Sequence, residues 1–319
     1  MRLRRSLNKV KRGLRRFASL SWLKRKRPGD VNALYSLLHQ LTHDLDNAWS
    51  MPASQTREAF GYQWAKLPEG NYLLTDPWFK ANVARILSEE ELQIKPEWFP
   101  GKEVLDAGCG NGRWSYGLAQ LGANVTAVDV NPTAVEATRK ALEKIPVSQH
   151  LYVTSLEELF RHVPPKQFDL VLCWGVLHHC RSFTTSFREV CHRVKEGGIL
   201  YLYLYGRESL PLSNDIELFK ERVRFYLMPP EDKRRFLLNK AGGDERAIHN
   251  MHDYYAPLIN RRFDFSDIQK ALEDAGFQDV TRTIRHSELF IRAVKGDAAE
   301  YHRTWFLPAK TPPYWFEYH

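Results

Sequence analysis

The stretch Glu103–Asn131, EVLDAGCGNGRWSYGLAQLGANVTAVDVN, decides the fold of this 319-residue chain. It opens with the short apolar run EVLDA, which ends in a turn that holds three glycines. The next segment, RWSYGLAQLG, has helical spacing and stops at Gly122, and ANVTAVDV is a second apolar run. The pattern predicts a strand, a glycine turn, a helix and a second strand.

The glycine turn indicates which ligand the fold holds. Gly108, Gly110 and Gly112 have the spacing G-x-G-x-G, whereas the dinucleotide fingerprint needs its last glycine where Arg113 stands. Asp106, two residues before the first glycine, would repel a pyrophosphate, so a nicotinamide dehydrogenase is disfavoured. Asp129 ends the second strand and can accept both hydroxyl groups of a ribose. The pattern therefore favours a pocket that binds a nucleoside and tolerates positive charge on that ligand.

Strands and helices continue to alternate after this stretch. LYVT, FDLVLCWGV and ILYLYLYG are predicted strands, and PTAVEATRKALEKI and SLEELFRHV are predicted helices. We also expect SFTTSFREVCHRVKEGG to be a helix that stops at its glycines. Later, DFSDIQKALEDAGF is a predicted helix with Asp264 or Ser266 as N-cap, followed by a closing strand pair. Such alternation favours a parallel sheet covered on both faces.

The motifs VLDAGCGNG, VTAVDVN, FDLVLCWGVLHH and VKEGGILYLYLYG, taken in order, resemble those of class I S-adenosylmethionine-dependent methyltransferases. The resemblance covers about residues 101–206 and, more loosely, 265–295. It implies an α/β, Rossmann-like fold with a seven-stranded, mostly parallel sheet and helices on both faces. It also implies S-adenosylmethionine as the cofactor.

The resemblance assigns roles along the chain. Asp106 and the loop of Gly108, Cys109, Gly110 and Gly112 are expected to hold the methionine end. Asp129, with Val130 beside it, is expected to hold the ribose. Ser155 and Leu156 are expected to flank the adenine, with the polar contact left open between Ser155 and Glu157. Trp174 to Val176 are expected to line the sulfonium side.

The acceptor side is read from residues after the fourth predicted strand. His178 and His179 are candidate bases for a hydroxyl acceptor, and only one is expected to face the pocket. The alternative is that both are capping or packing residues. The N-P-P-[YF] motif of amino-methylating nucleic-acid enzymes is absent there, which disfavours an exocyclic amine. Upstream, Tyr62 and Trp64 are either caps on the cofactor or packing residues.

The predicted organisation has an arm at residues 1–29, a helical region at 30–100 and a methyltransferase domain at 101–319. An insertion at 206–263 is expected to form a helical lid, with Tyr205, Arg207 or Tyr255 contacting the acceptor. The domain ends in an aromatic tail at 296–319.

Two groups of residues have side chains that could support metal or thiol chemistry, but we assign neither chemistry to them. His249, His252 and Asp253 in HNMHD have the spacing of a metal face, but we interpret them as a solvated helix face, and no metal site is predicted. The cysteines are Cys109, Cys173, Cys180 and Cys191, and none forms a C-x-x-C pair. Their apolar surroundings predict reduced, buried thiols in a cytosol-like compartment.

The charge of the chain is concentrated in the arm. The arm carries twelve Lys and Arg and no acidic residue, so a net charge of +8 leaves the remaining chain at −4. Leu3, Leu7, Val10, Leu14 and Phe17 form an apolar stripe at helical spacing. An anionic membrane surface is the favoured partner, with a mitochondrial presequence, an RNA clamp or a disordered tail as alternatives.

The sequence thus predicts a methyltransferase that acts on a small-molecule, lipid or glycan acceptor, either in the cytoplasm or at the periphery of a membrane. Two alternatives are an RNA methyltransferase, which the acidic body disfavours, and a non-catalytic cofactor-binding protein.

Overall fold

The computed structural model describes residues 51–310 and 313–315. The arm at residues 1–29, and with it the predicted membrane helix, lies outside the described residues. In the described part of the chain, no helix has both the length and the apolar character needed to cross a membrane.

One seven-stranded sheet organises the chain, with the strand order β3-β2-β1-β4-β5-β7-β6. The first five strands pair in parallel, and β7 lies antiparallel to both β5 and β6. The strands are β1 (Glu103–Ala107), β2 (Asn124–Asp129), β3 (Gln149–Val153), β4 (Phe168–Trp174), β5 (Val194–Leu204), β6 (Phe277–Arg285) and β7 (Leu289–Lys295). The predicted fold class and the closing strand pair are confirmed.

Helices cover both faces of this sheet. They are α1 (Met51–Lys66), α2 (Tyr72–Thr75), α3 (Pro77–Arg85), α4 (Arg113–Gln120), α5 (Pro132–Leu142), α6 (Leu159–His162), α7 (Phe183–Arg193), α8 (Leu212–Leu227), α9 (Pro230–Lys240), α10 (Ile248–Tyr255) and α11 (Phe265–Asp274). Alternate strand residues enter two different cores. Leu170 belongs to the same buried cluster as Leu118 of α4, and Val171 to the same cluster as Phe187 of α7. This two-sided burial explains the continuous apolar runs of the central strands.

The helix predicted to run from Ser182 to a glycine stop is shorter than expected. It ends at Arg193, and β5 begins directly at Val194, which pairs with Phe168. The glycines instead lie inside β5, where the register shifts and Gly197 has φ +71°. The Arg193 guanidinium donates to the carbonyls of residues 159, 163 and 164, which holds the end of the helix against α6.

The region before the sheet and the tail after it come together. Residues 51–100 contain α1, α2 and α3 and a π-helical turn over Ile86–Leu92. Trp315 from the tail packs against Phe79 of α3, with ring centroids 5.5 Å apart. The N-terminal region therefore forms a layer that joins one core of the sheet.

The insertion at residues 206–263 contains α8, α9 and α10. Its last helix, α10, packs on α1, where Gln63 Nε2 lies 2.9 Å from His249 Nε2. Asp264 is the N-cap residue of α11, but its side chain makes no capping hydrogen bond and instead pairs with Arg207 at 2.6 Å.

Candidate cofactor and acceptor site

A cavity of about 1180 Å³ opens at the carboxyl ends of the parallel strands. It lies where the chain order reverses between β1 and β4, the usual ligand position in an open α/β sheet. The predicted cofactor residues that line it are Gly108, Cys109, Gly110, Asp129, Val130, Ser155, Leu156 and Trp174. Asp106 and Gly112 lie behind this lining.

The glycine turn leaves its backbone open to the cavity because side chains do not fit there. Gly108 has φ +99°, and a Cβ at this position would lie 2.2 Å from Val176 Cγ2. Gly110 has φ +53°, and its Cβ would lie 3.0 Å from the ring of Trp64. Both positions therefore require glycine for conformation and for space.

Asp129 holds the turn and faces the cavity at the same time. Its Oδ2 accepts a hydrogen bond from the Gly110 amide at 3.0 Å, and its Oδ1 accepts from the Asn131 amide at 2.8 Å. Burial raises the pKa of this carboxyl to about 6, against the opposing effect of these amide donors. The carboxylate is thus fixed in position and retains lone pairs for further donors.

Asp106 lies beneath the turn and does not line the cavity. Its side chain is 1% exposed and accepts a hydrogen bond from the Ser115 hydroxyl at 2.6 Å. Burial raises its pKa to about 6, and the charge of Asp129 adds to this effect. In the structure, the carboxylate of Asp106 contacts Ser115 of α4 and not the cavity. Its contact with the methionine end of the cofactor therefore stays a prediction.

The predicted adenine end is formed by the segment after β3. Ser155 and Glu157 both line the cavity, so the choice between them stays open. The Ser155 hydroxyl lies 3.4 Å from Glu158 Oε2, and Glu157 Oε1 accepts from the Ser182 amide at 2.9 Å.

The two candidate histidines differ in their surroundings. His178 is fully buried, stacks on Tyr205 with ring centroids 3.8 Å apart, and does not line the cavity. His179 lines the cavity, and its Nδ1 lies 2.7 Å from the Ile259 carbonyl. That carbonyl can only accept, so Nδ1 carries the proton and Nε2 keeps its lone pair. Burial lowers the pKa of His179 to about 3.

Among the predicted aromatic caps, Trp64 lines the cavity, whereas Tyr62 is 52% exposed and stacks on His252. Of the predicted acceptor contacts from the insertion, only Tyr205 lines the cavity. Arg207 pairs with Asp264, and Tyr255 packs on Phe236.

The interpretation of HNMHD as a solvated helix face is wrong. His249 and His252 are 8% and 4% exposed, because this face of α10 packs against the N-terminal region. His249 Nδ1 donates to the Leu67 carbonyl at 3.1 Å. Asp253 lines the cavity and accepts a hydrogen bond from the Tyr205 hydroxyl at 3.1 Å. In the described part of the chain, no three His, Cys, Asp or Glu side chains are grouped to hold a metal ion.

Sequence reasoning missed an aromatic wall around Arg113. The guanidinium lies 4.2 Å from the ring centre of Trp174 and 5.2 Å from that of Trp114. Glu91 lies behind this wall, where it accepts hydrogen bonds from the indoles of Trp174 and Trp315. The wall is assembled from residues far apart in sequence, so no local pattern indicated it. The one indication in the sequence was that Arg113 stands where the dinucleotide-binding fingerprint has its last glycine.

Comparison with known proteins agrees with this geometry. A family model described as a methyltransferase domain matches residues 105–202. These residues are a class I S-adenosylmethionine-dependent methyltransferase domain. The predicted family and its cofactor are thereby confirmed for the methyltransferase domain.

The methyltransferase domain also resembles curated proteins. The mitochondrial ubiquinone biosynthesis O-methyltransferase of Schizosaccharomyces pombe is 37% identical over 147 residues, which cover 45% of this chain and 52% of the relative. The ubiquinone biosynthesis O-methyltransferase of Xanthomonas campestris pv. campestris is 37% identical over 108 residues, which cover 34% and 45% of the two chains. The chain spans about half the length of the curated relatives it matches.

Solved structures match over a longer range. Magnesium protoporphyrin IX methyltransferase from Synechocystis PCC 6803, with bound cofactor, has a TM-score of 0.40 and 20% identity over 68% of this chain and 77% of the other. The 1,6-didemethyltoxoflavin-N1-methyltransferase of Burkholderia thailandensis has a TM-score of 0.46 and 18% identity over 77% and 89% of the two chains.

The residues of the methyltransferase domain fit the cofactor. Asp129 offers a fixed carboxylate for the ribose hydroxyls, and the glycine turn offers backbone that no side chain covers. When bound, S-adenosylmethionine supplies an electrophilic methyl group on a sulfonium centre. The ring of Trp64 suits a positively charged ligand, whereas the ring of Trp174 is already in contact with the Arg113 guanidinium.

Proposed function

We propose that the protein transfers a methyl group from S-adenosylmethionine to a hydroxyl group of a small molecule bound in the cavity. One observation carries this proposal. The same cavity is lined by Asp129 and the glycine turn on one side and by His179, Tyr205 and Asp253 on the other. A cofactor and an acceptor bound there would share one cavity, which favours an in-line transfer.

The choice of a hydroxyl acceptor rests on two supports. The curated relatives are named as O-methyltransferases, although the chain spans only about half their length. The cavity also offers groups that can accept a proton, as hydroxyl methylation requires.

His179 is the first candidate for this proton acceptor. Its Nδ1–H donates to Ile259, so the ring is held in one tautomer with a free lone pair on Nε2. Its low pKa keeps it neutral at physiological pH but also makes it a weak base. Asp253, joined to the Tyr205 hydroxyl, is the second candidate, since burial raises the pKa of its carboxyl.

The experiment uses S-adenosylmethionine with a labelled methyl group and a cell extract that is afterwards separated into small molecules, RNA and protein. At a subsaturating cofactor concentration, we expect label in an extractable product with the wild type and much less with Asp129→Ala. The control variant Asp274→Asn changes an exposed carboxylate on α11 and should behave as the wild type. Label found only in an RNA or protein fraction, or no transfer at all, would contradict the proposal.

For the arm at residues 1–29 we propose attachment to an anionic membrane, which would bring a lipid-linked acceptor within reach. Twelve positive charges and the apolar stripe support this. The protein should sediment with anionic vesicles, and replacing Leu7, Leu14 and Phe17 with Ser should abolish this at unchanged charge. Sedimentation that survives these replacements would mean that charge alone attracts the arm.

A further inference from the structure

The tail at residues 296–319 reaches the cavity from the far end of the chain. Its described residues are 296–310 and 313–315, and among them Trp315 lines the cavity and is 4% exposed. The match to the methyltransferase family model ends at residue 202, so Trp315 lies well outside the matched residues. Part of the cavity wall therefore comes from a segment that carries none of the methyltransferase motifs.

Two neighbouring carboxylates hold the end of the tail in place. Glu90 pairs with the Lys310 ammonium at 2.7 Å and accepts a hydrogen bond from the Trp315 amide at 2.8 Å. Glu91 accepts a hydrogen bond from the Trp315 indole at 2.7 Å. Both carboxylates belong to the π-helical turn over Ile86–Leu92 and are buried. The backbone and the ring of Trp315 are therefore fixed by separate bonds, which together define the orientation of the indole.

The indole of Trp315 lies beside residues that follow the glycine turn and end β4. Its ring centre is 5.6 Å from that of Trp114 in α4 and 6.5 Å from that of Trp174 in β4. The Trp174 indole also donates to Glu91, at 3.2 Å, so one carboxylate holds two rings that line the cavity. The glycine turn and Trp174 are the predicted contacts of the methionine end and the sulfonium side. Trp315 therefore lies where the methionine end of the cofactor is expected.

We propose that Trp315 is a cofactor-binding residue and that the tail forms the wall against which the methionine end of S-adenosylmethionine packs. The indole adds apolar contact area for the methylene groups of that end. This inference rests on the proposed function, because it adds a residue to the binding site of the same cofactor. The cofactor and the tail then stabilise each other, since the coupling between two such contacts is reciprocal.

The first test compares two ligands by isothermal titration calorimetry. S-adenosylhomocysteine carries the amino-acid end of the cofactor, and methylthioadenosine lacks it. Trp315→Leu should bind S-adenosylhomocysteine about 5- to 10-fold more weakly than the wild type, because an aromatic contact is lost. The same variant should bind methylthioadenosine as tightly as the wild type does.

The matched control is Trp98→Leu. Trp98 is 3% exposed and packs against Tyr301 of the tail, with ring centroids 6.2 Å apart, but it does not line the cavity. This variant should lose stability and keep the wild-type affinity for both ligands.

The second test needs no variant and therefore decides the question even if Trp315→Leu does not fold. Hydrogen exchange is measured on the wild-type peptide that contains Trp315, with and without S-adenosylhomocysteine, and we expect slower exchange with the ligand. Unchanged exchange would overturn the inference, and so would wild-type affinity of Trp315→Leu for S-adenosylhomocysteine. Equal losses of affinity for the two ligands, or an equal loss in Trp98→Leu, would also overturn it, because neither is specific to the methionine end. If the wild type does not bind S-adenosylhomocysteine at all, the proposed function itself fails, so the two failures are distinguishable.

Discussion

The indole of Trp315 donates a hydrogen bond to Glu91 Oε1 at 2.7 Å, which joins two residues 224 positions apart. The backbone amide of Trp315 donates to the neighbouring Glu90 at 2.8 Å. Through these bonds the tail completes a wall of the cavity that the N-terminal region begins. The site is therefore built on the parallel sheet but closed by the N-terminal region and the C-terminal tail.

The first prediction concerns this closure. Trp315→Phe keeps a ring against Phe79 but leaves Glu91 Oε1 without its donor, so the free energy of unfolding should fall by about 1–3 kcal/mol. Trp315→Ala also removes the packing and should cost about 3–5 kcal/mol. Urea unfolding measures both changes. Trp78→Phe, at a tryptophan that is 47% exposed, is the control and should change little. A Trp315→Phe variant as stable as the wild type would contradict a role for this hydrogen bond.

The second prediction concerns the glycine turn. Gly108→Ala should weaken S-adenosylhomocysteine binding about 10-fold or more, because its Cβ meets Val176 and the turn must shift. The control is Gly197→Ala, since Gly197 also has a positive φ but no atom within 4 Å of an added Cβ. Adding Val176→Ala to Gly108→Ala should recover part of the affinity. Equal affinity in the two alanine variants would mean that the close approach of Val176 to Gly108 does not determine cofactor binding.

The third prediction concerns the buried Asp106. Its pKa is raised from 3.8 to about 6, so the folded state favours the protonated form, and the ionised carboxylate costs stability above that pH. Asp106→Asn should therefore be more stable than the wild type at pH 7.5, by up to about 3 kcal/mol. The Asn carbonyl can still accept from Ser115. The advantage should shrink as the pH falls through 6 toward 4, where the wild-type carboxyl becomes protonated in both states.

Urea unfolding at pH 7.5 and pH 4.5 measures whether Asp106→Asn gains stability and whether this gain shrinks at the lower pH. The exposed Asp274→Asn should show no such pH-dependent gain. An Asp106→Asn variant that is less stable than the wild type at pH 7.5 would mean that the charge is stabilised by groups other than Ser115.

The fourth prediction separates the two candidate bases. If His179 accepts the proton, His179→Ala should lower turnover by about 10²–10⁴-fold with little change in cofactor affinity. If Asp253 does so through Tyr205, Asp253→Asn should produce this loss instead. His178→Ala should act mainly on stability, since His178 is fully buried behind the cavity lining. Full turnover in both the His179 and the Asp253 variants would show that neither is the base.

Local patterns were sufficient to predict the sheet and most of the residues that line one side of the cavity. The glycine turn and Asp129 lie close together in sequence, and each follows from the end of a strand. The length of α7 was not predictable from its glycines, because the pairing of Val194 with Phe168 decides where β5 begins. Tertiary pairing here overrides a local stop signal.

The opposite side of the cavity depends on long-range contacts that no single segment encodes. Arg113, Trp174 and Trp315 meet only after the tail has packed on the N-terminal region. The burial of His249 likewise depends on α1 covering α10. The sequence does not show this contact, and the polar neighbours of His249 in sequence suggested a solvated helix face. The sequence identifies such residues as candidates, but it does not predict which of them are in contact in the folded chain.

The measurement that tests the account most directly is isothermal titration of S-adenosylhomocysteine into the wild type, Asp129→Ala and the control Asp274→Ala. Loss of charge-assisted hydrogen bonds worth about 1.5–3 kcal/mol should lower the affinity of Asp129→Ala at least about 10-fold, and the control should match the wild type. No binding by the wild type, or equal binding by Asp129→Ala, would contradict the assignment of this cavity to the cofactor.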